Sequence, residues 1–284
     1  MTVRLRYVLV IIVLLAFAGC GGLYFAIRSL GEGLPVRLTR ACTVTADGTV
    51  TLEPDQMANA ATIAAVGLQR GLPDQAVVVA LATAFQESKL QNLVGGDRDS
   101  IGLFQQRPSQ GWGTPEQIGD PRYAAIAFYN ALLKVPGWQQ MRVTDAAQAV
   151  QKSAHPELYE KWADSARILT SALTGTTTGA VACSLGKEPT QRGDAASQAL
   201  TEALSLDWAR VRTAPNADPV GVTLDAADDR NAWRYAHWLV AHAHEIGIKR
   251  VRLGEQEWSR ESGAWSKRTG TPPATRKVVA DLYA

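Results

Sequence analysis

The chain has 284 residues, of which 46% are hydrophobic and 20% are charged, and its net charge is +2. This composition is typical of a folded globular protein and excludes an intrinsically disordered one. The nearly balanced charge also argues against a nucleic acid as partner, since nucleic-acid binding requires a clearly basic face.

An apolar segment near the N-terminus, Tyr7–Ile27, has no charged residue and follows Arg4 and Arg6. It is long enough to cross a bilayer as a helix, which takes about 20 residues. The two arginines favour a cytoplasmic N-terminus, so that everything after the segment lies outside. The alternatives are a lipoprotein signal ending at Cys20 and a cleaved signal peptide. We therefore expect a single-pass membrane anchor at 1–28, and all three readings export the rest of the chain.

A hairpin is predicted after a spacer at 29–41, because residues 42–53 alternate in polarity around an Asp-Gly turn. A first helix follows and stops at Gly71. The second helix, from Ala76 to Glu87, is apolar on nearly every side. A helix of that kind is expected in the middle of a domain, packed against neighbours on all faces.

A turn-rich stretch, Gly95–Gly113, separates this helix from three further predicted helices. Two of them span Pro121–Lys134 and Asp145–Lys152, and the last begins at Pro156. The threonine- and glycine-rich run Thr174–Gly179 then reads as the start of a linker, which we extend over 176–190.

The C-terminal part, 191–284, changes character. Helices are predicted at 194–206, 230–246 and 278–282, with strands at 220–224 and 249–253. The alternation of helix and strand predicts a small α/β module.

Three cysteines are present, and Cys20 lies in the apolar segment. The other two, Cys42 and Cys183, flank the helical region and could pair in an oxidising compartment. Closing so long a loop would stabilise the fold by about 4–5 kcal/mol in the chain-entropy model. The alternative is two free thiols.

Glu87 is the leading catalytic candidate, because it stands in the last turn of the most apolar helix. Apolar surroundings and the negative end of the helix dipole both disfavour the charged carboxylate. The group would then hold a proton near neutral pH, as the general acid of a glycosidase must. The alternative is an ordinary exposed glutamate at a helix end.

Two short motifs carry a resemblance to a known family. Gln86–Ser88 (Gln-Glu-Ser) and Gly102–Gln106 (Gly-Leu-Phe-Gln-Gln) resemble the paired motifs of the lytic transglycosylase and goose-type lysozyme superfamily. In that superfamily the glutamate ends a core helix and protonates the bond between the two alternating sugars of peptidoglycan. The resemblance implies a lysozyme-like catalytic domain at 42–175, with glycan strands as substrate and no cofactor.

Further residues are candidates for the same cleft. Asp97 or Asp99 could polarise a water, as an inverting lysozyme needs, or bond the acetamido group of the substrate; the alternative is a role in forming the turn. The candidates for substrate binding are Ser88, Gln105, Gln106, Trp112, Gln148 and Gln151.

The match departs from the family in one segment. The superfamily often carries Ala-Tyr-Asn-Ala-Gly after the second motif, and its tyrosine reaches the catalytic glutamate. The corresponding stretch here, 146–153, contains no tyrosine. Gln148, Gln151 or Tyr159 are the residues that could take its place.

The C-terminal module has a faint similarity to D-Ala-D-Ala carboxypeptidases, based on Gly221–Asp225 and on Trp258 and Trp265. The histidine expected before Asp225 in that family is missing, which implies a lost zinc site and an accessory role. His242 and His244 point to opposite sides of a helix, so no metal site is expected.

The predicted fold class is thus α+β, with a transmembrane helix, a mostly helical lysozyme-like domain and a small α/β domain. The predicted function is cleavage of peptidoglycan glycan strands, by hydrolysis or by transglycosylation. The alternative is a non-catalytic wall-binding or scaffolding protein that retains the fold.

Overall fold

A computed structural model describes residues 40–153, 156–186, 189, 191–217, 220–268 and 276–284. The described α-helices are, in chain order, α1 (Pro54–Gln69), α2 (Asp74–Ser88), α3 (Pro115–Ile118), α4 (Pro121–Leu132), α5 (Val143–Gln151), α6 (Ala163–Leu173), α7 (Gly193–Asp207), α8 (Asp229–Ala241) and α9 (Ala243–Ile246). Short 3₁₀ helices lie at Pro108–Gln110, Trp138–Gln140 and Pro156–Trp162.

The described strands are β1 (Ala41–Thr45), β2 (Thr49–Leu52), β3 (Val181–Ser184), β4 (Arg212–Ala217), β5 (Val220–Asp225), β6 (Ile248–Leu253), β7 (Gln256–Ser259), β8 (Trp265–Lys267) and β9 (Lys277–Leu282). They form a three-stranded sheet in the order β2-β1-β3 and a six-stranded sheet in the order β4-β5-β9-β6-β7-β8. The residues that the structure describes belong to one compact unit.

The small sheet joins the two ends of the helical part of the chain, since β1 and β2 precede its helices and β3 follows them. Strands β1 and β2 form the predicted hairpin, and β3 pairs antiparallel with the other edge of β1. This register sets Cys42 opposite Cys183, and the two form a disulfide that bridges 141 residues of sequence. The predicted disulfide is confirmed.

Helix α2 runs through the centre of the helical part. Every residue from Ala76 to Phe85 is buried, as expected for a helix that is apolar on all sides. The helix ends at Ser88, and the capping residue that follows, Lys89, adopts the left-handed conformation with φ 57°. Burial of the helix body thus brings its last turn, with Glu87, to the edge of the core.

The C-terminal part corrects the prediction of an α/β module. All pairings in its six-stranded sheet are antiparallel, so this part is α+β. The predicted helix at 278–282 is strand β9, which lies between β5 and β6. Short apolar runs do not distinguish a buried strand from a buried helix, and here the antiparallel pairing of this segment with β5 and β6 reveals the strand.

The membrane helix of the predicted fold class has no counterpart in the part of the chain that the structure describes. Among the residues that the structure describes, no helix combines the length and the apolar character needed to cross a bilayer. The segment Tyr7–Ile27, to which that prediction referred, lies outside the described residues.

Candidate active site

Glu87 is half-buried in the last turn of α2, and its carboxyl group contacts one tyrosine. The hydroxyl of Tyr159 donates a hydrogen bond to Glu87 Oε1 over 2.6 Å. Tyr159 itself is fully buried, on the 3₁₀ helix that precedes α6. Burial and the bond to Glu87 raise the pKa of Tyr159, so its hydroxyl stays a neutral donor through the physiological range. Of the three residues considered for this position, Tyr159 is the one that reaches Glu87.

The 3₁₀ helix is held against α2 by a second pair of contacts. The ring of Trp162 stacks on Phe85 with 5.0 Å between ring centroids, and its indole N–H donates to Gln86 Oε1 over 3.0 Å. Residues 159 and 162 are one 3₁₀ turn apart and therefore lie on the same face. Three consecutive residues of α2 thus fix the two aromatic side chains beside the carboxyl group.

The two sequence motifs contact each other through Ser88. Its buried hydroxyl lies 2.7 Å from the carbonyl oxygen of Leu103 and 3.1 Å from that of Ala84. The turn at Leu103 depends on Gly102, which has φ 79° and whose added Cβ would lie 2.7 Å from the carbonyl oxygen of Ile118. Ser88 therefore joins the end of α2 to the second motif, and its hydroxyl is directed at backbone.

The glutamines of the second motif also bond to backbone. Gln106 is buried, and its amide donates to the carbonyl oxygen of Ala124 over 3.1 Å. Gln105 is half-buried and donates to the carbonyl oxygen of Gly102 over 3.1 Å. Both amides stabilise the turn that carries the motif.

The two candidate acids of the loop have different surroundings. Asp97 is exposed, with 94% of its side chain accessible. Asp99 binds the Arg107 guanidinium at 2.6 Å and accepts from both the backbone N–H and the hydroxyl of Ser109. These bonds hold the pKa of Asp99 well below its ordinary range. Among the described hydrogen bonds, none joins either acid to Glu87.

Of the remaining substrate-binding candidates, two bond to the backbone and one lines a cavity. Gln151 donates to the carbonyl oxygen of Phe104, and Gln148 donates to that of Ser153, each over 2.8 Å. Both glutamines therefore brace the segments around the site. Trp112 is half-buried and lines a cavity of about 530 Å³, together with Asn130 of α4 and Lys152 at the end of α5.

The site contains side chains that the sequence did not identify. Phe85 and Trp162 support the end of α2 that carries Glu87, and their contact depends on packing between elements more than 70 residues apart, as the 76-residue separation of Gln86 and Trp162 shows. The only sequence signal was the three-residue spacing of Tyr159 and Trp162. In the part of the chain that the structure describes, no group of three metal-binding side chains is assembled.

Neither a protein-family model nor a curated protein matches the chain. Functional inference therefore depends on the geometry around Glu87.

Proposed function

We propose that the protein cleaves the glycan strand of peptidoglycan, with Glu87 as general acid and then general base. The observation that carries this proposal is the half-buried carboxyl group of Glu87 at the end of a buried helix, bonded to a buried tyrosine. A carboxyl group held at the margin of an apolar core is the kind of acid that glycoside cleavage requires. The contact of Ser88 with Leu103, which links the two resembling motifs, supports the same reading.

In the first step, the carboxylic acid of Glu87 gives its proton to the glycosidic oxygen. The bond from that oxygen to the anomeric carbon breaks, and positive charge develops on the sugar. Tyr159 donates to Oε1 throughout, so it orients the carboxyl group and stabilises the carboxylate that forms. Tyr159 acts through Glu87 and is a positioning residue.

In the second step, the Glu87 carboxylate removes a proton from a hydroxyl group of the same sugar. The oxygen of that hydroxyl bonds to the anomeric carbon, which yields an anhydro-sugar and consumes no water. We favour this route over hydrolysis because the Asp99 carboxylate is occupied by Arg107 and Ser109. A carboxylate with a depressed pKa is a weak base for activating water.

We also propose that the enzyme works outside the reducing cytoplasm. The disulfide between Cys42 and Cys183 supports this location, since such bonds persist in oxidising compartments. Peptidoglycan lies in such a compartment.

The proposal is tested by incubating the protein with insoluble peptidoglycan beside a Glu87→Gln variant. We expect soluble fragments with anhydro ends from the wild type, and release slowed by two to four orders of magnitude by the variant, roughly the range for general acid–base catalysis. Reducing ends would instead identify hydrolysis. Co-sedimentation with the wall but no release by either protein would refute the catalytic proposal and identify a wall-binding protein.

A further inference from the structure

Two lysine side chains converge on the ring of Trp162, beside the candidate catalytic acid. The ammonium of Lys89 lies 4.2 Å from the ring centroid, and that of Lys161 lies 5.5 Å from it. Lys89 follows Glu87 by two residues, and Lys161 follows Tyr159 by two residues. Both lysines are exposed, so the two charges stand at the surface, on the same chain segments that carry Glu87 and Tyr159.

The two acids of the same 3₁₀ helix bond to groups other than these lysines. Within the same 3₁₀ helix, Glu157 pairs with Arg142, and Glu160 accepts from the backbone N–H of Thr144. In the described part of the chain, neither Lys89 nor Lys161 has a carboxylate within ion-pair distance. Partial burial and the charge of Lys161 lower the pKa of Lys89, as expected for like charges held together.

Unneutralised cations at a half-buried aromatic ring form a site for an anionic group that arrives with the substrate. The ring of Trp162 offers apolar surface, and ammonium groups offer hydrogen bonds to a carboxylate. A glycan strand presents carboxylates in two ways: on its acidic sugar when the peptide has been removed, or on the peptide when it is attached. The acidic sugar adjoins the bond that Glu87 is proposed to protonate.

We propose that Lys89 and Lys161, which both lie over the ring of Trp162, bind a carboxylate of the substrate next to the scissile bond. This inference rests on the proposed function and makes the enzyme selective for acidic glycan strands over uncharged amino-sugar polymers. The two lysines are specificity-determining residues, distinct from the acid that performs the chemistry.

The test measures binding, with full-length protein carrying Glu87→Gln so that the probe is not consumed. Three probes are compared: peptide-free glycan strands, intact glycan strands with peptides, and chitin oligosaccharides of matched length, which carry no carboxylate. In this background, Lys89→Gln with Lys161→Gln is compared with Lys267→Gln and Lys277→Gln. The second pair makes the same change in net charge on the C-terminal sheet.

We expect the double substitution of Lys89 and Lys161 by glutamine to weaken binding of an acidic strand about tenfold and to leave the affinity for chitin unchanged. The loss should diminish at high salt, and Lys89→Arg with Lys161→Arg should retain binding. A loss on peptide-free strands identifies the sugar carboxylate as ligand, and a loss on intact strands alone identifies the peptide. Both results support the inference.

Equal affinity of the test and control pairs for every probe would overturn the inference and leave the proposed function standing. An equal loss on chitin and on acidic strands would also overturn it, because carboxylate recognition would not be involved. If the Glu87→Gln background binds no probe at all, both the inference and the proposed function fail.

Discussion

Buried polar side chains are used differently in two regions of the molecule, the helical half (residues 40–175) and the sheet half (residues 191–284). In the sheet half, the buried carboxylate of Asp281 binds Arg250 through one oxygen and Arg252 through the other. In the helical half, Glu87 has one oxygen bonded to Tyr159, and among the described hydrogen bonds none reaches Oε2. A saturated carboxylate serves the fold, whereas a carboxyl group with an available oxygen can exchange a proton with a substrate.

The buried histidine of α8 likewise has a hydrogen-bond partner at each of its polar atoms. His237 accepts from the backbone N–H of Ala180 through Nε2, and its Nδ1 lies 2.8 Å from the carbonyl oxygen of Ala172. Both partners lie outside the sheet half, at the end of α6 and just before β3. The neutral ring thus links the two halves, so its loss should affect stability and leave the chemistry of Glu87 unchanged.

The largest expected effect that tests this comparison is a loss of stability on removal of the Asp281 carboxylate. Asp281→Ala leaves two arginines without their buried partner, so we expect the free energy of unfolding to fall by about 3 kcal/mol. Denaturant unfolding measures it. Asp225→Ala is the matched control, because Asp225 pairs with Lys277 on the same sheet with about half of each side chain exposed. Its effect should stay below about 1 kcal/mol, and equal losses would contradict the contrast between saturated and exposed acids.

A smaller loss of stability should follow when the pH is lowered. Burial lowers the pKa of His237 from 6.5 to about 4, so the unfolded chain binds the proton more readily than the folded chain. The stability that this group contributes is complete above pH 6.5 and is lost as the pH falls toward 4. Between pH 7 and pH 5 we expect a loss of about 2 kcal/mol in the free energy of unfolding.

The measurement compares unfolding curves across that pH range for the wild type, His237→Gln and His244→Gln. His237→Gln should flatten the pH dependence, although it lowers stability at pH 7. The pKa of His244 is also lowered by burial, but this ring is half-buried, so His244→Gln should keep most of the slope. An unchanged slope in His237→Gln would show that another group controls acid sensitivity.

The sequence predicts one side of the candidate site well and the other poorly. The apolar run before Glu87 determines a buried helix by itself, and the end of that run places the glutamate at the margin of the core. The contact with Tyr159 spans 72 residues and depends on tertiary packing, which local periodicity does not encode. For this reason the sequence left Tyr159 as one of three choices.

Residue type alone was a weaker guide to function in the second motif. Amide side chains suit sugar hydroxyls, but Gln106 is buried and bonded to the backbone of α4. Strand β9 shows the same limit for the fold, because Val278–Leu282 is as apolar as a short buried helix would be. In both cases the partner that decides the outcome, the backbone of α4 for Gln106 and strands β5 and β6 for β9, lies elsewhere in the sequence. Only the packed structure shows these contacts.

The smallest predicted effect tests whether Tyr159 belongs to the chemistry or only to the core. Tyr159→Phe removes the hydroxyl bonded to Glu87 and keeps the buried ring, so the fold should persist. We expect glycan cleavage to slow about tenfold, because the variant loses one hydrogen bond to a charged group. A tenfold change in rate corresponds to about 1.4 kcal/mol of activation free energy. Tyr129→Phe removes another buried hydroxyl, bonded to the carbonyl oxygen of Ile63, and serves as the control for stability alone. If both variants slow cleavage equally, Tyr159 acts only through the fold.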